Sequence, residues 1–186
     1  MSEPDRLTTL PAIETAIWQE LQRATHDRHH EWRAPVLASV ATDGSADARS
    51  VVLREVLPEQ RRVVFYTDDR SPKLAQLRHA PRATLVCWSR RLGWQVRLRT
   101  HCRPLADETA LAARWQRVAD SPAAADYLAQ RAPGTDLTAA AGAGAGEKPH
   151  FAVVEIEVLA IDWLELHRAG HRRAAFDAAG ARWLQP

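Results

Sequence analysis

Cysteine is scarce in these 186 residues: Cys87 and Cys102 are the only two, and they do not form a CxxC pair. Both lie in apolar or strand-like surroundings, so they read as reduced core residues of a cytoplasmic protein rather than a disulfide framework. Lysine is equally rare. Lys73 and Lys148 are the only two, and nearly all basic charge is arginine in an alanine-rich chain, which reads as codon-composition bias rather than function. Long hydrophobic runs are missing. The mostly apolar stretch 36–41 falls far short of the roughly 20 residues a bilayer span requires, so no membrane helix is expected. Residues 1–6 are polar and lead into no apolar stretch, so no signal peptide is expected. A dominant charge is lacking too: the net charge is +2 and the pI about 8.8. That is compatible with an anionic ligand but makes no demand for nucleic acid.

What is present describes an ordinary globular chain, 46% hydrophobic and 26% charged. The apolar fraction excludes disorder as the main state, and the length fits one domain over residues 1–186, with no disulfide or metal needed to fold. Residues 13–25 carry Ile13, Ala16, Ile17, Leu21 and Ala24 at helical spacing. The period then shortens. Strands are expected over 36–42, 48–56 and 62–67, with a hairpin turn at Asp43-Gly44. A short helix follows over 71–80, with Ser71 as N-cap, Pro72 in its first turn and Pro81 as its stop. Strands follow at 83–88 and 94–102. A helical insert over 106–131 is broken at Ser121-Pro122. The Ala/Gly run 139–146 reads as a mobile loop, and strands return at 151–161, 172–176 and 181–184. Short strands without βαβ alternation point to a mainly β, α+β fold: a six-stranded antiparallel split β-barrel over about 36–104 with peripheral helices, completed by C-terminal strands over 151–184.

Three segments carry candidate chemistry. In Tyr66-Thr67-Asp68-Asp69-Arg70-Ser71-Pro72-Lys73 a strand runs into a helix N-terminus, where free N–H groups, Arg70 and Lys73 would favour an anion such as phosphate. A capped surface helix explains the same residues. Arg49-Ser50-Val51-Val52-Leu53-Arg54 sets two arginines about a strand expected to be mostly buried. Their odd separation puts them on opposite faces unless the strand is bulged, and snorkelling strand-end arginines are the plainer reading. In the strand 94–99, Trp94, Val96 and Leu98 share one face and Gln95, Arg97 and Arg99 the other. Gln95 could bond the edge of a planar heterocycle, or the polar face could simply be solvated. His26, His29, His30 and Glu31 invite a metal reading, with His26 and His30 on one helix face, but a solvated helix end accounts for them without further converging ligands. Arg90, Arg91, Arg97, Arg99 and Arg103 form a basic strip with little aromatic interleaving, so an arginine-biased surface is preferred to a nucleic-acid site.

The ordered set Arg49-Ser-Val-Val-Leu-Arg54, Val64-Phe-Tyr-Thr67, Ser71-Pro-Lys73 and Gln95-Val96 resembles the pyridoxamine 5′-phosphate oxidase-like family of FMN-binding split β-barrels, and its bacterial FMN-binding branch most of all. The resemblance covers about residues 33–104 well and the C-terminal region more loosely. It implies a homodimer with FMN at the subunit interface and a small-molecule substrate. By position, Arg49 and Lys73 would bind the FMN phosphate beside Ser71. Ser50, the Val51, Val52 and Leu53 backbone, Tyr66 and Thr67 would line the flavin and ribityl chain. Gln95 would meet the ring, and Trp163 matches a tryptophan reaching the flavin from the partner subunit. Arg54 stands where the family has a lysine shared by FMN and substrate. Tyr127, Arg131 and Thr135 resemble a set that holds the substrate phosphate, and Arg172 aligns with a substrate-contacting arginine. The departures lie nearby: Ala174 replaces a histidine and Phe176 a flavin-contacting arginine, so the oxidase's own substrate site looks incomplete. The expected chemistry is hydride transfer to or from flavin N5. The alternative is a non-catalytic flavin-binding or storage protein, and FAD, F420 or haem in place of FMN stays open.

Overall fold

The computed structural model describes residues 6–138 and 149–186. Helix α1 (Leu10–His26) starts where the Thr9 hydroxyl accepts the Ala12 N–H and Pro11 occupies its first turn. Its stripe of Ile13, Ile17, Leu21 and Ala24 is fully buried, the outcome its periodicity predicts. Strands β1 (Val36–Val40) and β2 (Ala46–Ser50) form the expected hairpin. Gly44 sits at φ +85° in its turn, a left-handed conformation that glycine adopts without a Cβ clash. Next come β3 (Leu53–Leu57), β4 (Arg62–Thr67), α2 (Pro72–His79), β5 (Arg82–Ser89) and β6 (Trp94–Pro104). Helix α3 (Glu108–Ala119) leads through a 3-10 turn at Pro122–Ala124 into the short α4 (Ala125–Leu128). The long β7 (Ala152–Glu165), β8 (Arg172–Asp177) and β9 (Gly180–Leu184) finish the chain.

All strand pairings are antiparallel, in the order β2-β1-β5-β6-β7-β4-β3, with β8 added to β7 and β9 to β8. The 14-residue β7 is the hub. One flank pairs with β6 along its length; the other is divided between β4 at residues 152–157 and β8 at residues 161–165. The sheet therefore branches along β7. Its two end strands, β2 and β3, are consecutive in sequence. Between them the Val51 and Leu53 N–H groups donate to the Pro35 and Arg33 carbonyls at 3.0 and 2.9 Å, drawing the two ends of the sheet toward the same stretch of chain.

Trp32, Leu37, Phe65, Leu85, Leu98 and Trp163 lie fully buried in the main core. A second cluster of Val64, Val118, Tyr127, Phe151 and Val153 seats α3 and α4 on the outer face of β4 and β7. Cys87 and Cys102 are free and buried, and burial pushes their thiols up to about 12 and about 11.

The six-strand expectation is corrected to a nine-stranded sheet among the described residues. The region 48–56 is two strands rather than one, because Val51 and Val52 carry the chain from one sheet end to the other and the β3–β4 register slips between Leu53 and Glu55. That break and slip answer the parity problem posed by Arg49 and Arg54. The insert 106–131 is helical only in pieces, and 139–146 lies outside the described residues. His26 ends α1, so His30 does not share its helical face. Its Nδ1 accepts the Trp32 N–H, which leaves Nε2–H to donate to the buried Glu20 at 2.8 Å. No helix among the described residues is long and apolar enough to cross a membrane.

Candidate functional site

The turn from β4 into α2 builds the site. β4 delivers Tyr66 and Thr67 at its C-terminal end, and α2 begins five residues later with Lys73 in its first turn. The β2–β3 crossover brings Ser50, Val51, Val52 and Arg54 to the same place, and α4 supplies the far wall. These residues enclose a cavity of about 260 Å³ lined by Ser50, Val51, Val52, Arg54, Tyr66, Thr67, Asp68, Lys73, Asp126, Tyr127 and Pro133. Eight residues singled out from the sequence thus converge from three separate chain segments.

Lys73 is the informative member. Its Nζ donates to the Thr67 hydroxyl at 3.0 Å and the Ser71 hydroxyl at 2.6 Å. No carboxylate pairs with it among the described residues. Burial, and then the nearby Arg49 charge, hold its ammonium below the ordinary lysine range, while Asp68 acts weakly the other way. A half-buried cation that repels its nearest cationic neighbour is relieved by an anion. Ser71 is the N-cap residue of α2, as expected, but its hydroxyl accepts from Lys73 and makes no cap hydrogen bond.

Arg70 does not add charge to the site. It grips the buried Asp68 through Nε and Nη2 at 3.1 and 2.7 Å and donates to the Ala129, Gln130 and Arg131 carbonyls. It is a tether for the segment after α4. Arg49 stands outside the cavity wall. Its guanidinium holds the Ser39 hydroxyl at 2.5 Å, the Gln76 carbonyl oxygen at 2.7 Å and the Asp47 carboxylate. Its charge still reaches Lys73.

Tyr66 forms the floor. Its hydroxyl donates to Glu55 at 2.7 Å, and Arg114 from α3 clamps the same carboxylate at 3.0 and 3.2 Å. Burial and the Glu55 bond push the Tyr66 phenol far above its usual range, so it remains a neutral donor. Burial alone would raise Glu55, but bonds from Tyr66 and Arg114 outweigh it and leave the carboxylate below its ordinary range. Sequence reasoning missed this Glu55–Arg114 clamp, since nothing local links positions 59 apart. Asp126 was missed as well; only its neighbour Tyr127 was marked.

The remaining candidates lie outside the cavity, except Val51, which lines it but spends its N–H within the fold. Val51 and Leu53 use their amides on Pro35 and Arg33, and the Leu53 side chain is in the core, so neither N–H is available to a ligand. Arg131 is absent from the cavity wall and donates to the Leu137 carbonyl at 2.7 Å. Arg172 makes a two-point contact with Glu165 at 2.8 and 2.9 Å and donates to the Leu7 carbonyl. Trp163 requires correction: it is fully buried, packed edge-on to Trp94 with centroids 5.4 Å apart, so it offers no surface to a flavin in another subunit. Gln95 pairs with Leu164 near one end of β7, whereas Thr67 pairs with Ala152 at the other. Some 12 residues, about 40 Å of strand, lie between those rungs.

The fold and this cavity can be set against known proteins. The family model described as pyridoxamine 5′-phosphate oxidase matches residues 21–162. The chain belongs to the pyridoxamine 5′-phosphate oxidase family. A pyridoxine/pyridoxamine 5′-phosphate oxidase from Caulobacter vibrioides is 28% identical over 175 residues, covering 88% of this chain and 78% of that one. Another from Thermosynechococcus vestitus is 39% identical over 88 residues, 47% of this chain, and the match spans only 40% of its length. A pyridoxamine 5′-phosphate oxidase-related, FMN binding protein from Nostoc punctiforme shares the fold with a TM-score of 0.72 at 22% identity, covering 92% of this chain and 96% of that one. PhzG from Burkholderia lata, solved with tetrahydrophenazine-1-carboxylic acid, also gives 0.72 at 18% identity, covering 100% and 98%. The family resemblance read from Arg49 through Gln95 is thereby established.

Proposed function

We propose that the chain binds FMN and acts as an oxidoreductase on a small substrate. The observation that carries this is Lys73: a half-buried ammonium with hydroxyl partners, repelled by Arg49, facing a cavity at the end of β4. A phosphate monoester satisfies that arrangement. Lys73, Thr67 and Ser50 would hold the FMN phosphate, with Arg49 acting through its charge, while Val52 and Tyr66 would border the ribityl chain and ring. Bound FMN would supply hydride chemistry at its N5. The protein's part is to fix the cofactor, keep Tyr66 protonated through Glu55 and limit water access beneath α4.

Two features favour a site completed by a second copy of the chain. At about 260 Å³ the cavity is smaller than common cofactor pockets, which start near 300 Å³. Gln95 and Thr67 stand far apart along β7 within one protomer. In a homodimer the Gln95 of one protomer could meet the flavin held by its partner. The buried free thiols fit a reducing, cytoplasmic setting.

A second reading is a flavin-binding protein without turnover. Arg131 and Arg172, both expected to hold substrate, are committed to Leu137 and Glu165 instead. Titration with FMN and riboflavin, followed by fluorescence quenching, tests the cofactor assignment. FMN should bind at least about tenfold more tightly, since only it carries the phosphate that Lys73 would meet. Equal affinity would overturn the phosphate site. Tight FMN with no reduction by any amine or reductant offered would favour the second reading.

A further inference from the structure

We propose that Trp32, Trp94, Trp163 and Trp183 form an electron relay that carries oxidising equivalents out of the main core to the surface at β9. The proposal goes beyond the flavin reading and does not depend on it. The four indoles come from four separate segments, the link between α1 and β1, then β6, β7 and β9, yet follow one another in ring contact. Centroids are 6.5 Å apart from Trp32 to Trp94, 5.4 Å from Trp94 to Trp163 and 6.3 Å from Trp163 to Trp183. All three separations fall within the roughly 4.5–7 Å span of aromatic rings in contact. Burial gives the row a direction: Trp32 and Trp163 are fully buried, Trp94 is 6% exposed and Trp183 46%. At the inner end the His30 ring stands edge-on to Trp32, 6.2 Å away, and lines an open cavity of about 970 Å³ with His26, His29 and Glu31. A small oxidant in that cavity is one side chain from Trp32.

Packing accounts for apolar rings in a core but not for their N–H groups. The buried Nε1 atoms of Trp32 and Trp163 have no hydrogen-bond partner among the described residues. A buried donor left unpaired is destabilising and calls for a reason. Electron transfer supplies one. A tryptophan that loses an electron becomes a strong N–H acid, and with no acceptor beside it the proton stays. The cation then moves on by taking an electron from the next ring instead of being trapped by deprotonation. Trp183 is the opposite case, because water reaches it. Arg172 lies over both Trp163 and Trp183, 5.5 and 5.8 Å from their centroids. Its carboxylate partner Glu165 is shared with Arg6, so positive charge is left over and disfavours a cation on either ring. The hole therefore passes through Trp163 and comes to rest only when Trp183 has shed its proton. The steps balance. A one-electron oxidant of the small inorganic radical class takes one electron from Trp32, and Trp94, Trp163 and Trp183 each pass one electron inward. Trp183 releases one proton to water and remains as a neutral radical, to which a soluble thiol can return the electron and the proton.

Flash photolysis of the full chain tests the relay. A ruthenium polypyridyl photosensitiser attached at His29→Cys, three residues from Trp32, generates the oxidant at the inner end on a light pulse. The native Cys87 and Cys102 are buried and stay unlabelled. Transient absorption follows the radicals, and peptide mapping after spin trapping locates them. The labelled chain should show a cation spectrum that gives way to a neutral radical trapped at Trp183, at a rate independent of protein concentration. Adding Trp94→Phe should abolish trapping at Trp183 and leave the hole at Trp32. Adding Trp183→Phe, an exposed change that spares the core, should remove the neutral radical and prolong the cation. Adding Trp88→Phe should leave the Trp183 signal unchanged, since Trp88 is 47% exposed but meets no other ring among the described residues. Circular dichroism checks that Trp94→Phe folds, and Trp183→Phe decides alone if it does not. Undiminished trapping at Trp183 in a folded Trp94→Phe chain would overturn the proposal. So would a neutral radical that persists in Trp183→Phe, or a radical confined to Trp32 in the labelled chain without further change.

Discussion

Replacing Lys73 by Met keeps the alkyl stem and removes the ammonium. A hydrogen bond to a charged group contributes about 1.5–3 kcal/mol, so the variant should bind FMN about 10- to 150-fold more weakly. Its effect on the FMN-free fold should be opposite in sign or nil. The Nζ has hydroxyl partners but pairs with no carboxylate among the described residues, and burial and Arg49 oppose its charge more than Asp68 supports it. Fluorescence quenching gives the affinity, and thermal denaturation without ligand gives the stability. The pH dependence follows from the same sign. Because the folded protein holds the Lys73 pKa below its ordinary 10.5, the unfolded chain binds the extra proton between the lowered value and 10.5. Stability of the FMN-free protein from this group therefore rises with pH across that window, while phosphate affinity falls as the ammonium is lost. Undiminished FMN binding in Lys73→Met would refute the reasoning. So would a variant that loses FMN only because its FMN-free form melts well below wild type.

Other outcomes follow from the same geometry. Glu55→Gln should weaken the Tyr66–Arg114 clamp and lower stability by about 1–3 kcal/mol in chemical denaturation. Since the folded protein lowers the Glu55 pKa, its contribution is present above the ordinary 4.5 and lost as pH falls through the folded value, so the variant's stability should depend less on pH below 4.5. Gly93→Ala should lower the melting temperature, because Gly93 sits at φ +65° and a Cβ there would lie 2.6 Å from the Leu166 carbonyl oxygen; an unchanged melting point would show that the β6–β7 edge yields easily. Arg70→Lys should speed proteolysis within residues 129–138, since lysine cannot hold Asp68 at two points and three carbonyls as well.

The strands were legible where side-chain alternation is strong. β4 was read to the residue, and β6 shows the predicted division, with Trp94, Val96 and Leu98 buried and Arg99 exposed. Connectivity was less legible. The division of β2 from β3 depends on Val51 and Leu53 donating to Pro35 and Arg33, a pairing set by the whole sheet rather than by residues 48–56. For the site, residue type marked Lys73, Tyr66, Thr67 and Arg54 correctly as neighbours. It could not tell which arginines were already taken: Arg70, Arg131 and Arg172 look as available as Arg54 until Asp68, Leu137 and Glu165 are placed. Trp163 was misplaced because it lies beyond the strand read as 151–161, although Ile161 and Asp162 already put it on the buried face of β7.

The central claim is that FMN occupies the Lys73 end of this cavity. The absorbance spectrum of the purified chain, mixed with excess FMN and then desalted, tests it most directly, with Lys73→Met run alongside. The account predicts retained flavin bands with the wild type, close to one FMN per chain, and their loss with the variant while it remains folded. A colourless wild-type protein, or a variant that keeps as much flavin, would contradict it.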